Sequence, residues 1–434
     1  MEAKPSGKKN ERNSLKKDTL YVYVGHFLKY LGPLILVPYF SRVLGPEGYG
    51  QVLAAISLMT MVGLVINFGF LFSGVRDIAS AKSDRERGRI VGRQIYGRII
   101  LLPAAVAVGG IGTYCSPMLW ENPWFGVLAT LTGITMGFSM SWFFQGIRQF
   151  KTSIMLETIV YPVNIAIVLL CVHGKNDGVF AMLAFFIASV VSLLISLYHI
   201  RRKTAEIKTS FREGIKEIRD TTTFFITSMN SVIMTTGATY ILSIMTISEQ
   251  VGYYGTAEKF MTVAIALLNP IGQVLMPTIS RLHAETPEQA FRLARKGVMA
   301  ETAYGMIGPC VGYVLAPLAM PFILGKTFMP SVPVFQTMAL VLPFIAVKHA
   351  IILYLLIPLR KEKFYMIASV INVCLMLAAI MILVPQYGAM GMAWSRMGAE
   401  TITTIFLIAV IYKLGLAQKV VRGGGVFKRG ASRH

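Results

Sequence analysis

Six basic residues lie inside long apolar stretches of the chain, where charged side chains are rare. They are Lys29, Arg42, Arg98, Lys259, Lys348 and Arg396. A charge at the centre of a bilayer costs about 2.5–3.5 kcal/mol on insertion scales, so it persists where it faces a wet cavity or an opposite charge. These residues predict a cationic cavity that binds an anion, and their ammonium and guanidinium groups suit a phosphate or pyrophosphate.

The position of each basic residue within its apolar stretch decides how strongly it points to a cavity. Arg42 lies near the end of its stretch, so its long side chain can reach the interface by snorkelling, and Arg98 has the same alternative. Lys29 and Lys348 lie deeper, with no acidic residue close in sequence. We therefore favour a cavity-lining role for these two lysines.

The two remaining basic residues have acidic neighbours in the sequence. Glu400 follows Arg396 by one helical turn, which leaves a local ion pair open as an alternative. Glu258 directly precedes Lys259, but adjacent residues of a helix point about 100° apart and need not pair.

Three acidic residues within apolar stretches are candidates for coupling transport to protons. They are Glu157, Glu301 and Glu400. Burial disfavours the charged form of a carboxyl group, so such a group can load and release a proton near neutral pH. The alternative is that these acids simply pair with the basic residues of the cavity. His26 and His349 could join either arrangement.

The composition restricts the class of protein. The chain has 434 residues, of which 54% are hydrophobic and 15% are charged, with a net charge of +21. A soluble protein carries about 25% charged residues. A nucleic-acid binder would reach this net charge with more charged residues, not fewer. The figures instead predict a polytopic membrane protein.

Twelve apolar stretches are long enough to cross a bilayer, which takes about 20 residues. They cover roughly residues 21–43, 51–73, 96–116, 123–145, 153–173, 178–199, 221–245, 253–279, 298–324, 334–357, 364–384 and 389–412. The sequence therefore predicts an all-α membrane protein with about twelve transmembrane helices.

The basic residues outside these stretches indicate the orientation. Of the 42 Lys and Arg residues, 34 fall in the two tails and in alternate connections, whereas the opposite loops hold only Lys175 and Lys326. Cytoplasmic segments are enriched in basic residues. Both termini are therefore predicted to be cytoplasmic, in a multi-pass protein of a plasma membrane. The basic residues on that side are expected to meet anionic lipids.

An internal repeat divides the chain into halves. Residues 44–50 and 248–255 share a Gly-Tyr pattern before an apolar stretch, and the spacing from Gly50 to Arg76 equals that from Gly255 to Arg281. Two six-helix halves that enter from the same side predict parallel repeats around a central cavity. The predicted limits are a tail at 1–20, an N-lobe at 21–200, a basic linker at 201–220, a C-lobe at 221–413 and a tail at 414–434.

The chain carries no signature of a soluble enzyme. Gly325-Lys326-Thr327 resembles the end of a phosphate-binding loop, but Met320 stands where that motif requires glycine. The four cysteines are far apart and suggest no metal site. The sequence therefore predicts a transporter rather than an enzyme, without a metal or cofactor, driven by an ion gradient or by its substrate.

Seven motifs resemble those of bacterial polysaccharide-repeat flippases of the multidrug/oligosaccharidyl-lipid/polysaccharide exporter superfamily. They lie at residues 38–50, 67–69, 76–79, 142–146, 251–259, 277–282 and 385–391. The resemblance implies twelve helices in two lobes, an inner-membrane location and proton-coupled exchange. It also implies flipping of undecaprenyl-pyrophosphate-linked oligosaccharide to the periplasmic leaflet by alternating access, for O-antigen, capsule or exopolysaccharide. Arg76, Asp77 and Arg281 lie in these motifs, at the predicted cytoplasmic mouth.

Other functions stay open at this point. A multidrug antiporter of the same superfamily would carry organic cations, which a cationic cavity would repel. A flippase for the lipid-linked peptidoglycan precursor is a further alternative, as is a scaffold for a polysaccharide synthase that transports nothing. Expected partners are a polyprenyl-pyrophosphate-linked oligosaccharide, protons or sodium as the coupling ion, and a polysaccharide polymerase, with no nucleic acid.

Overall fold

The computed structural model of the chain describes residues 34–204 and 209–421, and within these ranges the secondary structure is helical, without a strand. The helices are α1 (Leu34–Val43), α2 (Gly45–Asn67), α3 (Phe70–Ser80), α4 (Asp84–Cys115), α5 (Pro117–Glu121), α6 (Pro123–Gly137), α7 (Ser141–Gly146), α8 (Phe150–Thr158), α9 (Val160–Cys171), α10 (Gly178–Arg201), α11 (Phe211–Val232), α12 (Ala238–Met245), α13 (Ser248–Ala266), α14 (Asn269–Glu285), α15 (Pro287–Leu324), α16 (Ser331–Ala339), α17 (Leu342–Ile351), α18 (Glu362–Lys413) and α19 (Leu416–Val421). Two π-helical turns cover Ile233–Gly237 and Ile352–Leu356.

The helices agree with the predicted spans. Among the described residues, nine helical stretches are long and apolar enough to cross a membrane, and Leu34–Val43 and Ile233–Met245 are shorter apolar helices. Helix α18 has 52 residues, and at 1.5 Å per residue it would be ~78 Å long, more than twice the apolar thickness of a bilayer. Its backbone breaks at Gly388, where φ is 52°. The break separates the spans predicted at 364–384 and 389–412.

The bounds of several helices follow from residues that favour a helix start. Pro46, Pro123, Pro270 and Pro287 each stand in the first turn of a helix, where a missing N–H breaks no hydrogen bond. Helix α4 begins after Ser83, whose hydroxyl accepts the backbone N–H of the residue three positions later, at 3.2 Å.

The contacts between residues divide the chain into two compact units, with the division after Gly255, inside α13. We call the described residues up to Gly255 the N-terminal unit and those from Thr256 the C-terminal unit. Helices α11 and α12 belong to the N-terminal unit because α11 packs on α4 and both pack on α2. The lobe limits predicted from the repeat, at 21–200 and 221–413, stay a prediction, as does the central cavity.

In the N-terminal unit, glycines allow helices to pack closely. A Cβ atom on Gly133 would lie 2.5 Å from the Met59 carbonyl oxygen, so α6 runs against the backbone of α2. Gly137, one turn later, lies equally close to Ile66. The turn between α2 and α3 has left-handed backbone angles at Phe68 and Gly69. This turn interrupts the second predicted span, and α3 begins directly after it at Phe70.

The two repeat segments contact each other. A Cβ atom on Gly50 would lie 1.8 Å from the Ser248 carbonyl oxygen, and one on Gly252 would lie 2.3 Å from the Pro46 carbonyl oxygen. Each segment therefore places a glycine against the backbone of the other. The glycines of the repeat are explained by this reciprocal packing, which the sequence pattern alone did not reveal.

The C-terminal unit is built around α15, which packs against α14 and α17. Its core includes Ile279, Phe291, Ala350 and Tyr354, all buried. Large apolar side chains such as Phe322, 79% exposed, point outward. Such a surface suits lipid and not water.

Candidate functional site

Most of the predicted site residues fall in the described part of the chain, but Lys29 and His26 lie outside it. In the N-terminal unit are Arg42, Arg76, Asp77, Arg98 and Glu157. In the C-terminal unit are Lys259, Arg281, Glu301, Lys348, Arg396 and Glu400.

Lys348 on α17 forms an ion pair with Glu400 on α18, in which Nζ contacts Oε2. The side chains are 19% and 10% exposed, so both charges are largely withdrawn from solvent. The residues lie 52 positions apart, which is why the sequence showed no acidic neighbour for Lys348. Tertiary packing supplies that partner, and it is the pairing that the sequence left open for Glu400.

A second pair joins Arg396 to Glu258, with 3.5 Å between Nη1 and Oε1. Both side chains are almost fully buried, at 6% and 7% exposed. Glu258 therefore faces α18, which agrees with the expectation that it need not pair with its neighbour Lys259. Lys259 is half-buried, and no ion pair to it is present among the described residues.

Glu301 is fully buried in α15 and holds two partners from the segment that follows Leu342. The Nδ1 atom of His349 lies 2.8 Å from Oε2, and the Tyr354 hydroxyl donates a hydrogen bond to Oε1. The sequence analysis considered His349 as a possible partner of these acids, but it did not identify Tyr354. A carboxyl group beside an imidazole can exchange one proton between two acceptors.

The charges of the C-terminal unit nearly balance inside its helices. Lys259, Lys348 and Arg396 stand against Glu258, Glu301 and Glu400. A buried cation is much less costly when an acid partners it. The cationic cavity expected from the sequence stays a prediction.

Arg98 is fully buried inside the N-terminal unit. Its Nε donates to the Gly137 carbonyl at 2.9 Å, and its Nη1 lies 3.3 Å from the carbonyl and side-chain oxygens of Gln94. The guanidinium also lies 5.0 Å from the centre of the Phe70 ring. These contacts tie α4 to α6 and differ from the snorkelling considered for this residue. Its role as an anion ligand stays a prediction.

The other predicted cations are exposed. Arg42, at the end of α1, has the exposure that snorkelling requires, and Arg281 near the end of α14 is exposed as well. Arg76 is exposed and its Nε contacts Asp77 at 2.8 Å. Their placement at a cytoplasmic mouth stays a prediction.

A buried acid missed by the sequence analysis organises the neighbourhood of Asp77. Glu217 on α11 is 2% exposed and its Oε2 lies 2.5 Å from Nε of Arg93. Its Oε1 accepts hydrogen bonds from the Ser73 hydroxyl at 2.7 Å and from the Gln94 amide at 3.5 Å. The cluster holds α11 against α3 and α4.

The position of Glu217 could have been found from the period of α11. Gly214, Glu217 and Thr221 are its buried residues at helical spacing, while the residues between them face outward. The predicted basic linker at 201–220 is, from Phe211, the first part of a helix that continues to Val232. Glu217 was passed over because its segment looked merely polar and basic.

Replacing Glu217 with glutamine should loosen α11. The change removes the charge that balances the buried part of Arg93, and breaking a buried pair is strongly destabilising. We expect the free energy of unfolding to fall by about 1–3 kcal/mol. This is less than for a fully buried pair, because the Arg93 side chain is 27% exposed. Thermal unfolding in detergent and the rate of trypsin cleavage at Arg212 would measure it.

Glu213→Gln is the matched control, one turn earlier on the same helix. Glu213 pairs with Arg89, whose side chain is 68% exposed. Hydrogen bonds from the Arg89 guanidinium, which has the larger effect, and from the Thr209 hydroxyl lower the pKa of Glu213 to about 2. The pair is therefore charged at neutral pH. Exposed pairs contribute at most about 1 kcal/mol. Equal effects of the two substitutions would contradict the anchoring role of Glu217.

Glu157 lines a cleft within the N-terminal unit. The cleft has a volume of about 290 Å³ and is neither sealed nor flat. It is lined by Asn67, Leu71, Thr135, Met136, Gly137, Ser139, Ser141, Trp142, Leu156, Glu157, Val160, Tyr161, Ser189, Ser192 and Leu193. Glu157 is half-buried and its Oε1 accepts a hydrogen bond from the Gln145 amide at 3.1 Å. No cluster of acids, histidines and cysteines able to hold a metal occurs among the described residues.

Comparison with known proteins identifies the family. Residues 15–283 match the model of a family described as polysaccharide biosynthesis protein. The chain belongs to this polysaccharide biosynthesis family. A protein named "Putative O-antigen transporter" from Shigella dysenteriae is 25% identical over 92% of this chain and 100% of its own length.

Solved structures of other proteins have the same fold. One, named as the lipid II flippase MurJ in an inward closed conformation, has a TM-score of 0.67 at 16% identity, over 94% of this chain and 90% of its own. An inward-facing multidrug transporter of the MATE family has a TM-score of 0.65 at 14% identity, over 92% and 99%. The resemblance drawn from the motifs and the all-α membrane fold are confirmed, and this family member is a multi-pass membrane protein.

Proposed function

We propose that the protein is a flippase that moves undecaprenyl-pyrophosphate-linked oligosaccharide from the cytoplasmic to the periplasmic leaflet by alternating access. The observation that carries the proposal is the family membership, with a relative named as an O-antigen transporter matched over its whole length. The product would serve O-antigen, capsule or exopolysaccharide assembly. The inner membrane, with both termini in the cytoplasm, is the location that this role requires.

The Lys348–Glu400 pair suggests how a pyrophosphate could be bound and released. Glu400 compensates the charge of Lys348, which limits the free-energy cost of a charge between helices. An arriving pyrophosphate would compete for Lys348, and Glu400 would then take up a proton instead of remaining as an unpaired anion. Binding of the substrate and uptake of a proton are linked in this scheme.

Glu301 and Glu157 are further coupling candidates. Glu301 lies between a histidine and a tyrosine, so a proton bound there would change the hydrogen bonds that join α15 to the segment after Leu342. Glu157 opens into a cleft, where water or a small cation can reach it. Either proton or sodium is compatible with these carboxyl groups.

The fold does not separate this proposal from a multidrug antiporter or from a peptidoglycan-precursor flippase. Both kinds of protein have the same fold, at similar TM-scores. The balanced charges of the C-terminal unit suit an anion that displaces an acid from its cation. An organic cation would require the reverse, with Lys348 displaced from Glu400.

A double substitution tests the predicted anion site. Lys29→Ala combined with Lys348→Ala should abolish surface polysaccharide in a strain that lacks the natural gene, because both proposed pyrophosphate ligands are removed. Surface polysaccharide would be measured by gel electrophoresis, and membrane insertion by immunoblotting. Lys175→Ala combined with Lys326→Ala is the matched control, because these lysines lie in the opposite loops, and it should support normal polysaccharide.

Three results would argue against the proposal. Normal surface polysaccharide in cells that carry the Lys29→Ala/Lys348→Ala protein would contradict the assignment of these lysines to an anion-binding cavity. Efflux of a cationic dye by purified protein in proteoliposomes, without flipping of lipid-linked oligosaccharide, would favour the antiporter. Flipping of the peptidoglycan precursor alone would favour the other flippase.

A further inference from the structure

The cleft of the N-terminal unit gathers polar side chains in a part of the chain that is otherwise apolar. Its lining includes the hydroxyls of Thr135, Ser139, Ser141, Ser189 and Ser192 beside the Glu157 carboxylate. Polar groups withdrawn from water are costly unless they have partners. Their convergence on one cleft indicates that the cleft holds water or a polar ligand.

The hydrogen bonds of these hydroxyls indicate which donors and acceptors a ligand of the cleft would need. Thr135 donates to a backbone carbonyl at 2.9 Å, Ser189 to the Phe186 carbonyl at 2.8 Å and Ser192 to the Leu156 carbonyl at 2.7 Å. The Thr135 and Ser189 hydroxyls also lie 2.6 Å apart, so one of them donates to the other, and each hydroxyl offers one proton and two lone pairs in total. Glu157 adds a carboxylate that only accepts. The lining also includes the Asn67 amide and the Trp142 indole, which can donate, so it suits a ligand that carries both hydrogen-bond donors and acceptors.

The charge and size of the cleft narrow the class of ligand. No lysine, arginine or histidine is among the lining residues, which disfavours a phosphate. A volume of about 290 Å³ is far more than the ~30 Å³ of one water molecule, so a lone ion would fill little of it. It is near the lower end of small-molecule pockets, about 300–1,000 Å³.

The apolar part of the lining complements the polar part. Leu71, Leu156 and Leu193 line the cleft together with the hydroxyl-bearing residues. A sugar ring presents both hydroxyl donors and C–H surfaces, whereas a hydrated cation has only the polar character. The lining residues come from seven helices, α2, α3 and α6 to α10, and from the turns that join them.

We infer that this cleft is a binding subsite for an uncharged sugar residue of the transported oligosaccharide. The inference rests on the proposed flippase function. In it, the pyrophosphate and the sugar are recognised by different units of the chain. Glu157 acts as a sugar ligand that accepts hydroxyl hydrogen bonds, and the hydroxyls of α6 and α10 accept further ones.

Protection of a cysteine placed in the cleft tests the inference. The full chain, with Cys115, Cys171, Cys310 and Cys374 replaced by serine, would carry Ser139→Cys and be reconstituted in nanodiscs. The probe is the oligosaccharide released by mild acid from the lipid-linked pool of the producing cells. At saturation it should slow labelling by a small hydrophilic thiol reagent at least fivefold, whereas sodium chloride should not.

Two further proteins serve as controls. A chain that keeps only Cys171, an exposed cysteine outside the cleft, should be labelled at the same rate with and without oligosaccharide. Adding Glu157→Gln to Ser139→Cys should raise the half-protecting oligosaccharide concentration about tenfold, because a charged acceptor is lost. Protection that is unchanged by Glu157→Gln would contradict the role of this carboxylate.

The outcomes separate this inference from the proposed function. Protection by sodium and not by oligosaccharide would overturn it in favour of a cation site, and protection by neither would overturn it outright. If the wild-type protein still flips lipid-linked oligosaccharide in proteoliposomes, only the cleft assignment is lost. Protection by oligosaccharide without any flipping would retain the subsite and overturn the flippase.

Discussion

Replacing Gly50 with alanine is expected to disrupt the fold of the N-terminal unit. The added Cβ atom would lie 1.8 Å from the Ser248 carbonyl oxygen and 3.1 Å from the Gly252 backbone nitrogen. Both neighbours are backbone atoms, so no side-chain rotation can relieve the overlap, and α2 must move away from the start of α13. Overpacking typically costs 1–3 kcal/mol, and we expect ~3 kcal/mol or more here.

Thermal unfolding monitored by size-exclusion chromatography in detergent, together with the amount of inserted protein, would measure the effect. Gly252→Ala should behave in the same way, because its Cβ atom would lie 2.3 Å from the Pro46 carbonyl oxygen. Gly110→Ala is the matched control, since nothing lies within 4 Å of its Cβ position in α4. It should be neutral or stabilise the helix by up to about 1 kcal/mol. If the Gly50→Ala protein were as stable as the wild-type protein, the reciprocal packing of the repeat segments would be refuted.

Replacing Lys348 with methionine should destabilise the C-terminal unit and also stop transport. The substitution leaves the Glu400 carboxylate, 10% exposed, without its cation. Removing one partner of a fully buried pair costs about 3–5 kcal/mol, and partial exposure reduces the expected loss here to about 1–3 kcal/mol. Adding Glu400→Gln should recover most of the stability, because no unpaired charge then remains.

Transport by the Lys348→Met/Glu400→Gln protein distinguishes two roles of the pair. If Lys348 binds the pyrophosphate, surface polysaccharide stays absent even though stability has returned. Restored polysaccharide would instead make the pair purely structural. Arg87→Met with Asp84→Asn is the control cycle, because this surface pair is 34% and 66% exposed and should show coupling below about 1 kcal/mol. Stability and polysaccharide would be measured on the same set of proteins.

The membrane-spanning helices could be predicted closely because their signal is local. About 20 consecutive apolar residues cross a bilayer whatever they pack against, and the spans at 364–384 and 389–412 were separated even though the helix is continuous except at Gly388. The family could also be recognised from the sequence, because its motifs are short runs of consecutive residues. The residues at 251–259 lie within the matched range of 15–283.

The partners of the charged residues could not be predicted, because they lie on other helices. Lys348 finds Glu400 across 52 positions, and Glu217 finds Ser73 across 144. From the sequence, Arg98 was expected to line a cavity or to reach the membrane interface. In the structure it is instead enclosed by Gln94, Gly137 and aromatic rings. A basic residue in an apolar stretch has the same sequence appearance in each of these environments.

The amino-acid sequence was enough to identify a helical membrane protein of a polysaccharide biosynthesis family, with a predicted orientation and a set of ionisable residues proposed to bind an anion. Hydropathy and charge along the chain are sufficient for this, because the bilayer acts on each segment separately. Only the tertiary structure decided that Lys348 and Arg396 are paired with acids, that Glu301 holds His349 and Tyr354, and that hydroxyls converge on a cleft around Glu157. Those contacts depend on which faces of distant helices meet, and no local pattern of residues specifies that.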